Sequence, residues 1–301
     1  MVLETTILGT SSMVPTKDRN VQSIHLDYNG EGILIDCGEG TQRQMNIAGI
    51  NRTKIRKILI THWHGDHVSG LIGLIQTIGN SKEISQLSIY GPVGTKKFMN
   101  NLLNSCIFDL TVELEILELD FNEKKIFFEN ENYCLEAAPL NHKIPCLGYS
   151  FIEKDRRKIN LELAKQKGLV EGPELKNIQN NLPIKVGDVM IMPDDVSTIQ
   201  KGKKLTLIAD TSFNANAQLL AEDSDVLICE ATYEKNEEEK ANEYFHLTSE
   251  QSALIASNAG VKKLILTHFS QRYKDLSDLL DQARTIFPNT ELAFDFMKIK
   301  L

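Results

Sequence analysis

Cysteine is scarce. Only Cys37, Cys106, Cys134, Cys146 and Cys229 occur among 301 residues, an odd number with no C-x-x-C pair. That excludes a disulfide framework or a cysteine zinc knuckle and predicts a chain kept in a reducing cytosol. Long apolar runs are missing too. Stretches such as Leu71–Ile75 and Leu264–Leu266 fall far below the ~18 residues of a membrane span. The opening M-V-L-E-T-T lacks the basic start and apolar centre of an export signal. The expectation is a cytoplasmic protein without a membrane partner. Positive charge is in deficit, with 33 Lys and Arg against 41 Asp and Glu, a net −8. This excludes a surface coated all over for nucleic acid but leaves room for a local basic patch. No internal repeat or low-complexity tract occurs. With 42% hydrophobic and 25% charged residues, disorder and collagen-like structure are excluded as well.

What is present is an alternation of short β-branched apolar runs with helix-like stretches. At ~150 residues per domain the length allows two domains, or one large α/β domain with an insertion. Strands are expected at Thr5–Leu8, Ile24–Tyr28, Ile33–Asp36, Lys57–Ile60, Leu87–Tyr90, Thr111–Leu117, Lys125–Phe128, Tyr133–Ala138, Leu147–Ile152, Leu205–Ala209, Val226–Cys229, Lys263–Leu266 and Leu292–Phe296. Helices are expected at Thr41–Ala48, Val68–Ile78, Val93–Leu103, Leu161–Gln166, Ala215–Ala221, Ser249–Ser257 and Leu276–Phe287. This mixture predicts sheets covered by helices. Residues 153–200 break the rhythm: strand signal is sparse, and 153–185 hold eight Lys/Arg against five Asp/Glu. A long polar connection of this kind is a functional insertion or a solvated surface loop.

The chemistry concentrates in Thr61-His62-Trp63-His64-Gly65-Asp66-His67, directly after a strand-like run. In an extended stretch His62 and His64 point to one side, while the adjacent Asp66 and His67 diverge and can serve a second ion. Burying such a cluster of imidazoles without partners is costly, so a metal site is the economical reading. Three more candidates each follow an apolar run: His142 after Tyr133–Ala138, Asp210 after L-T-L-I-A and His268 after L-I-L-T. Ligands collect at the carboxyl ends of strands in α/β sheets. Five histidines and two aspartates suit zinc, with manganese, iron or cobalt as alternatives, and do not suit calcium or magnesium. His25, in an alternating strand, reads as structural or exposed, and Trp63 as packing.

The order Asp36, H-W-H-G-D-H, His142, Asp210, His268 is similar to the motif pattern of the metallo-β-lactamase fold. Its detail resembles the ribonuclease Z family of tRNA 3′-end endonucleases. P-T-K-D-R-N at Pro15–Asn20, L-I-D-C-G-E-G-T-Q-R-Q at Leu34–Gln44, Glu230-Ala231-Thr232 with His246-Leu247-Thr248, and T-H-F-S-Q-R-Y at Thr267–Tyr273 carry the match. It runs from Thr5 to the C-terminus. Cys229, Leu247 and Ala209 depart from the residues usual there without removing a ligand.

The resemblance implies a single four-layer αββα sandwich over 1–301, with a tRNA-binding arm inserted at about 153–200. It implies two zinc ions, one held by His62, His64, His142 and Asp210, the other by Asp66, His67, Asp210 and His268. Asp66 orients or deprotonates the attacking water, and His246, held by Glu230, protonates the leaving oxygen. Asp36 orients a ligand. Lys17, Arg19, Asn20, Arg272 and Tyr273 flank the metals as substrate contacts, while the acidic stretches Glu113–Glu131 and Glu234–Glu243 face away from the RNA. The partner is precursor tRNA, and the family is commonly homodimeric. The other classes open at this point are a small-molecule hydrolase of the same scaffold, acting on a phosphodiester, thioester or lactone, and a metal-bound RNA-binding protein without turnover.

Overall fold

A computed structural model describes residues 2–81, 86–169 and 172–301. Val170 and Glu171, inside the G-L-V-E-G-P stretch of the expected arm, lie outside the described residues. Two seven-stranded sheets dominate. The first contains β1 (Leu3–Gly9), β2 (Ser23–Tyr28), β3 (Glu31–Ile35), β4 (Ile55–Leu59), β5 (Gln86–Pro92), β6 (Glu113–Leu119) and β18 (Lys298–Lys300), in the order β18-β1-β2-β3-β4-β5-β6. β1 pairs antiparallel with β18 and β2, whereas β3 to β6 run parallel. The second contains β7 (Lys125–Glu129), β8 (Tyr133–Leu140), β9 (Cys146–Glu153), β14 (Lys204–Ile208), β15 (Val226–Glu230), β16 (Leu264–Thr267) and β17 (Thr290–Leu292), in the order β17-β16-β15-β14-β9-β8-β7. β14 to β17 are parallel. Strands buried on both faces read as unbroken apolar runs, which is why L-I-L-T and V-L-I-C-E stand out in the sequence.

The sheets meet through Tyr28 against Phe151 (ring centroids 5.1 Å), Tyr90 against Phe127 (5.0 Å) and Phe127 against Tyr149 (5.8 Å). The Tyr149 hydroxyl donates to the Ile60 carbonyl at 2.7 Å. Helices cover the outer faces. Met45 of α1 (Thr41–Ala48), Leu71, Leu74, Ile75 and Ile78 of α3 (Leu71–Ser81) and Met99 of α4 (Thr95–Leu103) pack on Leu8, Leu34, Ile58 and Ile89. On the other side, α8 (Ala215–Ala221), α10 (Ser249–Asn258) and α11 (Ser277–Ile286) pack on Ile208, Leu227, Leu264 and Leu266. Four layers result, in the order helix, sheet, sheet, helix.

The helix expected over Val68–Ile78 is split into α2 (Gly65–Val68) and α3. Close approach explains the break. A Cβ on Gly70 would lie 2.2 Å from the Gly38 carbonyl oxygen, and one on Gly38 would lie 2.1 Å from that of Asp66. The two loops touch backbone to backbone. The strand expected over Leu292–Phe296 stops at Leu292, because Phe296 adopts a left-handed φ of 71° and Asp295 is drawn to another loop, described below.

The chain divides into two compact units, the smaller comprising Glu129–Cys134 and Ile152–Lys203. Within it β10 (Arg156–Ile159) pairs with β13 (Ser197–Gln200) and β11 (Ile184–Val186) with β12 (Val189–Ile191). It also carries α5 (Leu161–Gln166), α6 (Pro173–Gln179) and α7 (Pro193–Val196). Ala164, Leu169, Ile178, Ile184, Ile191 and Val196 form its own small core.

Candidate metal centre

Each candidate ligand stands just beyond the carboxyl end of a strand: His62 after β4, His142 after β8, Asp210 after β14 and His268 after β16. His64 caps the amino end of α2, which carries Asp66 and His67. The folding of the strands therefore brings side chains from 62 to 268 to one place.

Two donor groups form. His62 Nε2 lies 3.0 Å from His64 Nδ1, which lies 3.3 Å from His142 Nε2; Asp210 Oδ2 is 3.7 Å from His62 Nε2. In the second group, Asp66 Oδ2 is 3.6 Å from both His67 Nε2 and His268 Nε2. Asp210 Oδ1 reaches the same two nitrogens at 3.4 and 3.2 Å. Donors about 2.0–2.1 Å from a tetrahedral ion stand about 3.3–3.4 Å from one another, so the observed spacings suit a shared cation. His67 Nε2, His268 Nε2 and Asp210 Oδ1 are buried without any hydrogen-bond partner. Orphaned buried atoms of that kind demand a ligand, and three of them converge here. The residues fit divalent metal.

The far sides of His67, His142 and His268 are held in place. His67 Nδ1 lies 2.7 Å from Asp36 Oδ2, and Thr61 donates to the same carboxylate from both its amide and its hydroxyl, each at 2.8 Å. Asp36 does this from a left-handed φ of 58°, and His268 takes φ 57°; strained backbone of this kind clusters at working sites. His142 Nδ1 faces the Phe245 carbonyl at 3.1 Å, and His268 Nδ1 the Thr232 hydroxyl at 3.0 Å. Such partners set the tautomer of a ligand. Replacing Asp36 with asparagine should lower metal affinity by about 10–100-fold, measured by competition with a chromophoric chelator.

Electrostatics agree with the geometry. Burial pushes the pKa values of His62, His64 and His142 down, keeping them neutral and able to ligate. Burial opposes charge on Asp210 and Asp66, yet neighbouring imidazoles hold both below the ordinary carboxylate range. Burial would also depress His67, but Asp210, Asp36 and Asp66 drive it well above its usual value. Three carboxylates around one imidazole make a field that attracts a cation.

His246 stands beside this cluster. Its Nδ1 is 3.0 Å from Glu230 Oε1 and 3.9 Å from Asp210 Oδ2. Glu230 is fully buried and also accepts from the Thr211 amide (2.7 Å) and the Thr232 hydroxyl (2.6 Å). Burial works against the His246 proton, but Glu230 and Asp210 outweigh it and raise the pKa to about 9. Its Nδ1 is taken up by the Glu230 carboxylate and it lies on the cavity wall, so His246 is suited to donate a proton, although its atoms also fall near those of Asp210 and His268.

A cavity of about 830 Å³ opens over the cluster. Of the expected substrate contacts, Lys17 is exposed beside Asp18 at 3.8 Å. Arg19 and Asn20, also expected as substrate contacts, have side chains engaged by the protein itself. Arg19 donates to the Ser270 and Tyr273 carbonyls at 3.2 and 3.0 Å, and Asn20 to the Glu39 carbonyl at 2.8 Å. The Asn20 amide in turn donates to Asp295 Oδ2 at 2.7 Å, which Gln44 also reaches at 3.0 Å, while Thr10 donates to Oδ1 at 2.9 Å. The 15–20 loop is thus braced against both the last ligand loop and the 293–297 segment. Arg272 lines the cavity, paired with Glu237 and stacked 5.1 Å from the Tyr233 ring; the Tyr273 hydroxyl accepts from the Glu234 amide. The expectation that Glu234–Glu243 faces away is corrected: α9 (Glu238–Tyr244) puts Lys240, Glu243 and Tyr244 on the cavity wall. The sequence reading missed these, together with Lys143, Met13 and Tyr233. Adjacency was the available signal, since Lys143 follows a ligand and Tyr244 stands two residues before His246.

Comparison with known proteins agrees with this geometry. The chain is 40% identical over its whole length to a ribonuclease Z from Methanothermobacter thermautotrophicus, covering 97% of that relative. The crystal structure of human tRNase Z, short form, superposes with a TM-score of 0.72 at 28% identity, over 98% of each chain. The metallo-β-lactamase fold protein YhfI from Bacillus subtilis shares the fold, with a TM-score of 0.72 at 15% identity over 100% and 99% of the two chains. Residues 3–145 match a family described as anti-Pycsar protein Apyc1.

Proposed function

The chain belongs to the ribonuclease Z family, and on that premise we propose that it is a metal-dependent endoribonuclease that cuts precursor tRNA on the 3′ side of the discriminator nucleotide. The tRNA keeps a 3′-hydroxyl. One observation carries the chemistry: orphaned donors of His67, His268 and Asp210 converge beside a cavity lined by Asp210 and His246. A small-molecule hydrolase and a non-catalytic binder are set aside on the full-length likeness to ribonuclease Z.

His62, His64, His142 and Asp210 would hold one zinc ion, and Asp66, His67 and His268, together with Asp210, would hold a second. Such ions supply Lewis acidity, which eases ionisation of water and offsets charge on the scissile diester. Asp66, kept as a carboxylate and fixed by the Met13 amide at 2.8 Å, orients the attacking water and can take its proton. His246, held at Nδ1 by Glu230, presents its other nitrogen to the leaving O3′ and donates the proton there. Asp36 and Thr61 keep His67 oriented. Arg19 and Asn20 support the 15–20 loop that presents Lys17, and Arg272 offers its guanidinium to the phosphate backbone.

The smaller unit acts as the tRNA-binding arm, a role supported by the eight Lys and Arg against five Asp and Glu over residues 153–185. The enzyme works as a cytoplasmic homodimer, in keeping with its five free thiols and with the habit of the family. Purified protein incubated with precursor tRNA should give one cut next to the discriminator, abolished by chelator and restored by zinc. Cuts scattered along the RNA, or cleavage that survives metal removal, overturn the reading. Affinity for precursor tRNA should fall steeply and linearly on logarithmic axes as salt rises; a flat response is incompatible with a grip on phosphates.

A further inference from the structure

Lys143 and Tyr244 form an arrangement that the catalytic roles leave unused. Lys143 follows the ligand His142, and its ammonium lies 4.8 Å over the ring of Tyr244. Lys143 makes no ion pair among the described residues, although Lys240 nearby is bound to Glu237 at 2.6 Å. Tyr244 is 44% exposed and lines the cavity. Tyr233, the other tyrosine there, is buried under Arg272. The Tyr244 ring is held in register with the centre: Phe245, in a left-handed turn at φ 60°, accepts from His142 Nδ1, and the His246 amide donates to the Ala241 carbonyl at 2.8 Å.

An exposed aromatic face beside an unneutralised ammonium is the pairing that binds a single nucleotide, base on ring and phosphate on cation. A phosphate is a stronger partner for a solvated ammonium than a ring face is. We propose that Tyr244 and Lys143 form a nucleotide subsite next to the metal centre, Tyr244 stacking the base of a residue that flanks the scissile bond and Lys143 taking its phosphate. This rests on the reading of the cavity as the place where RNA is cut. Stacking is tolerant of base identity, so the subsite positions the strand without selecting a sequence.

Calorimetric titration of the zinc-loaded protein with adenosine 5′-monophosphate and with ribose 5-phosphate isolates the contribution of the base. The wild type should bind the nucleotide about tenfold more tightly, the low end of what one base–aromatic stack contributes. Tyr244→Phe should keep that preference, and Tyr244→Leu, which retains bulk without a π face, should lose it. Lys143→Gln should weaken both ligands by the same factor. Equal affinities in the wild type, or a preference that survives Tyr244→Leu, overturn the proposal. If the base preference is present while precursor tRNA stays intact, the subsite stands and the endonuclease reading is the one that fails.

Discussion

Replacing His246 with alanine should lower turnover of precursor tRNA by about 10²–10⁴-fold, the usual contribution of a positioned general acid, while both metal groups stay loaded. The side chain belongs to neither four-donor set, and its anchor Glu230 keeps bonds to Thr211 and Thr232, so the pocket has little reason to collapse. The pH profile is the sharper signature. The imidazole is a donor only while protonated, and its pKa is raised to about 9. Turnover in the wild type should therefore decline as pH rises through about 9, tenfold per unit beyond it. The alanine variant should lack that alkaline limb. The same raised pKa links to folding: the stabilisation it gives is complete below about 6.5, the value of a free imidazole, and is lost progressively as pH rises from there through about 9. Near-wild-type turnover in the variant, measured alongside metal content, removes the acid role.

Asp210→Ala should have the larger effect. Its two carboxylate oxygens reach both donor groups, within 3.7 Å of His62 and 3.2–3.4 Å of His67 and His268. Without it each group loses an anionic donor, so metal content after desalting should fall well below that of the wild type. Losing several kcal/mol of charge stabilisation corresponds to about 10³–10⁴-fold in rate or more. Elemental analysis together with cleavage of precursor tRNA checks both. A variant that keeps its full metal content refutes the shared position of Asp210.

The candidate ligands His62, His142, Asp210 and His268 were legible in the sequence because each follows an apolar run, where strand geometry dictates placement. His62, His64, Asp66 and His67 also share one short loop, so their convergence needed no tertiary information. What escaped was whatever depends on contacts distant in sequence. Nothing local marks Asp295 as the acceptor for Asn20, 275 residues away, or tells a reader that Arg19 turns inward to the Ser270 carbonyl. The left-handed backbone at Asp36 and His268 was hidden as well, since ordinary residues seldom adopt it. α9 escaped because its E-E-K-A-N-E-Y run has little apolar periodicity, and charge alone suggested a solvated face.

The pairing of β1 with β18 and the hold of Asp295 on Asn20 impose an order on biosynthesis. Residues 3–20 are synthesised before residues 295–300 and wait for them before their loop can be secured, and His268 is made after every other candidate ligand.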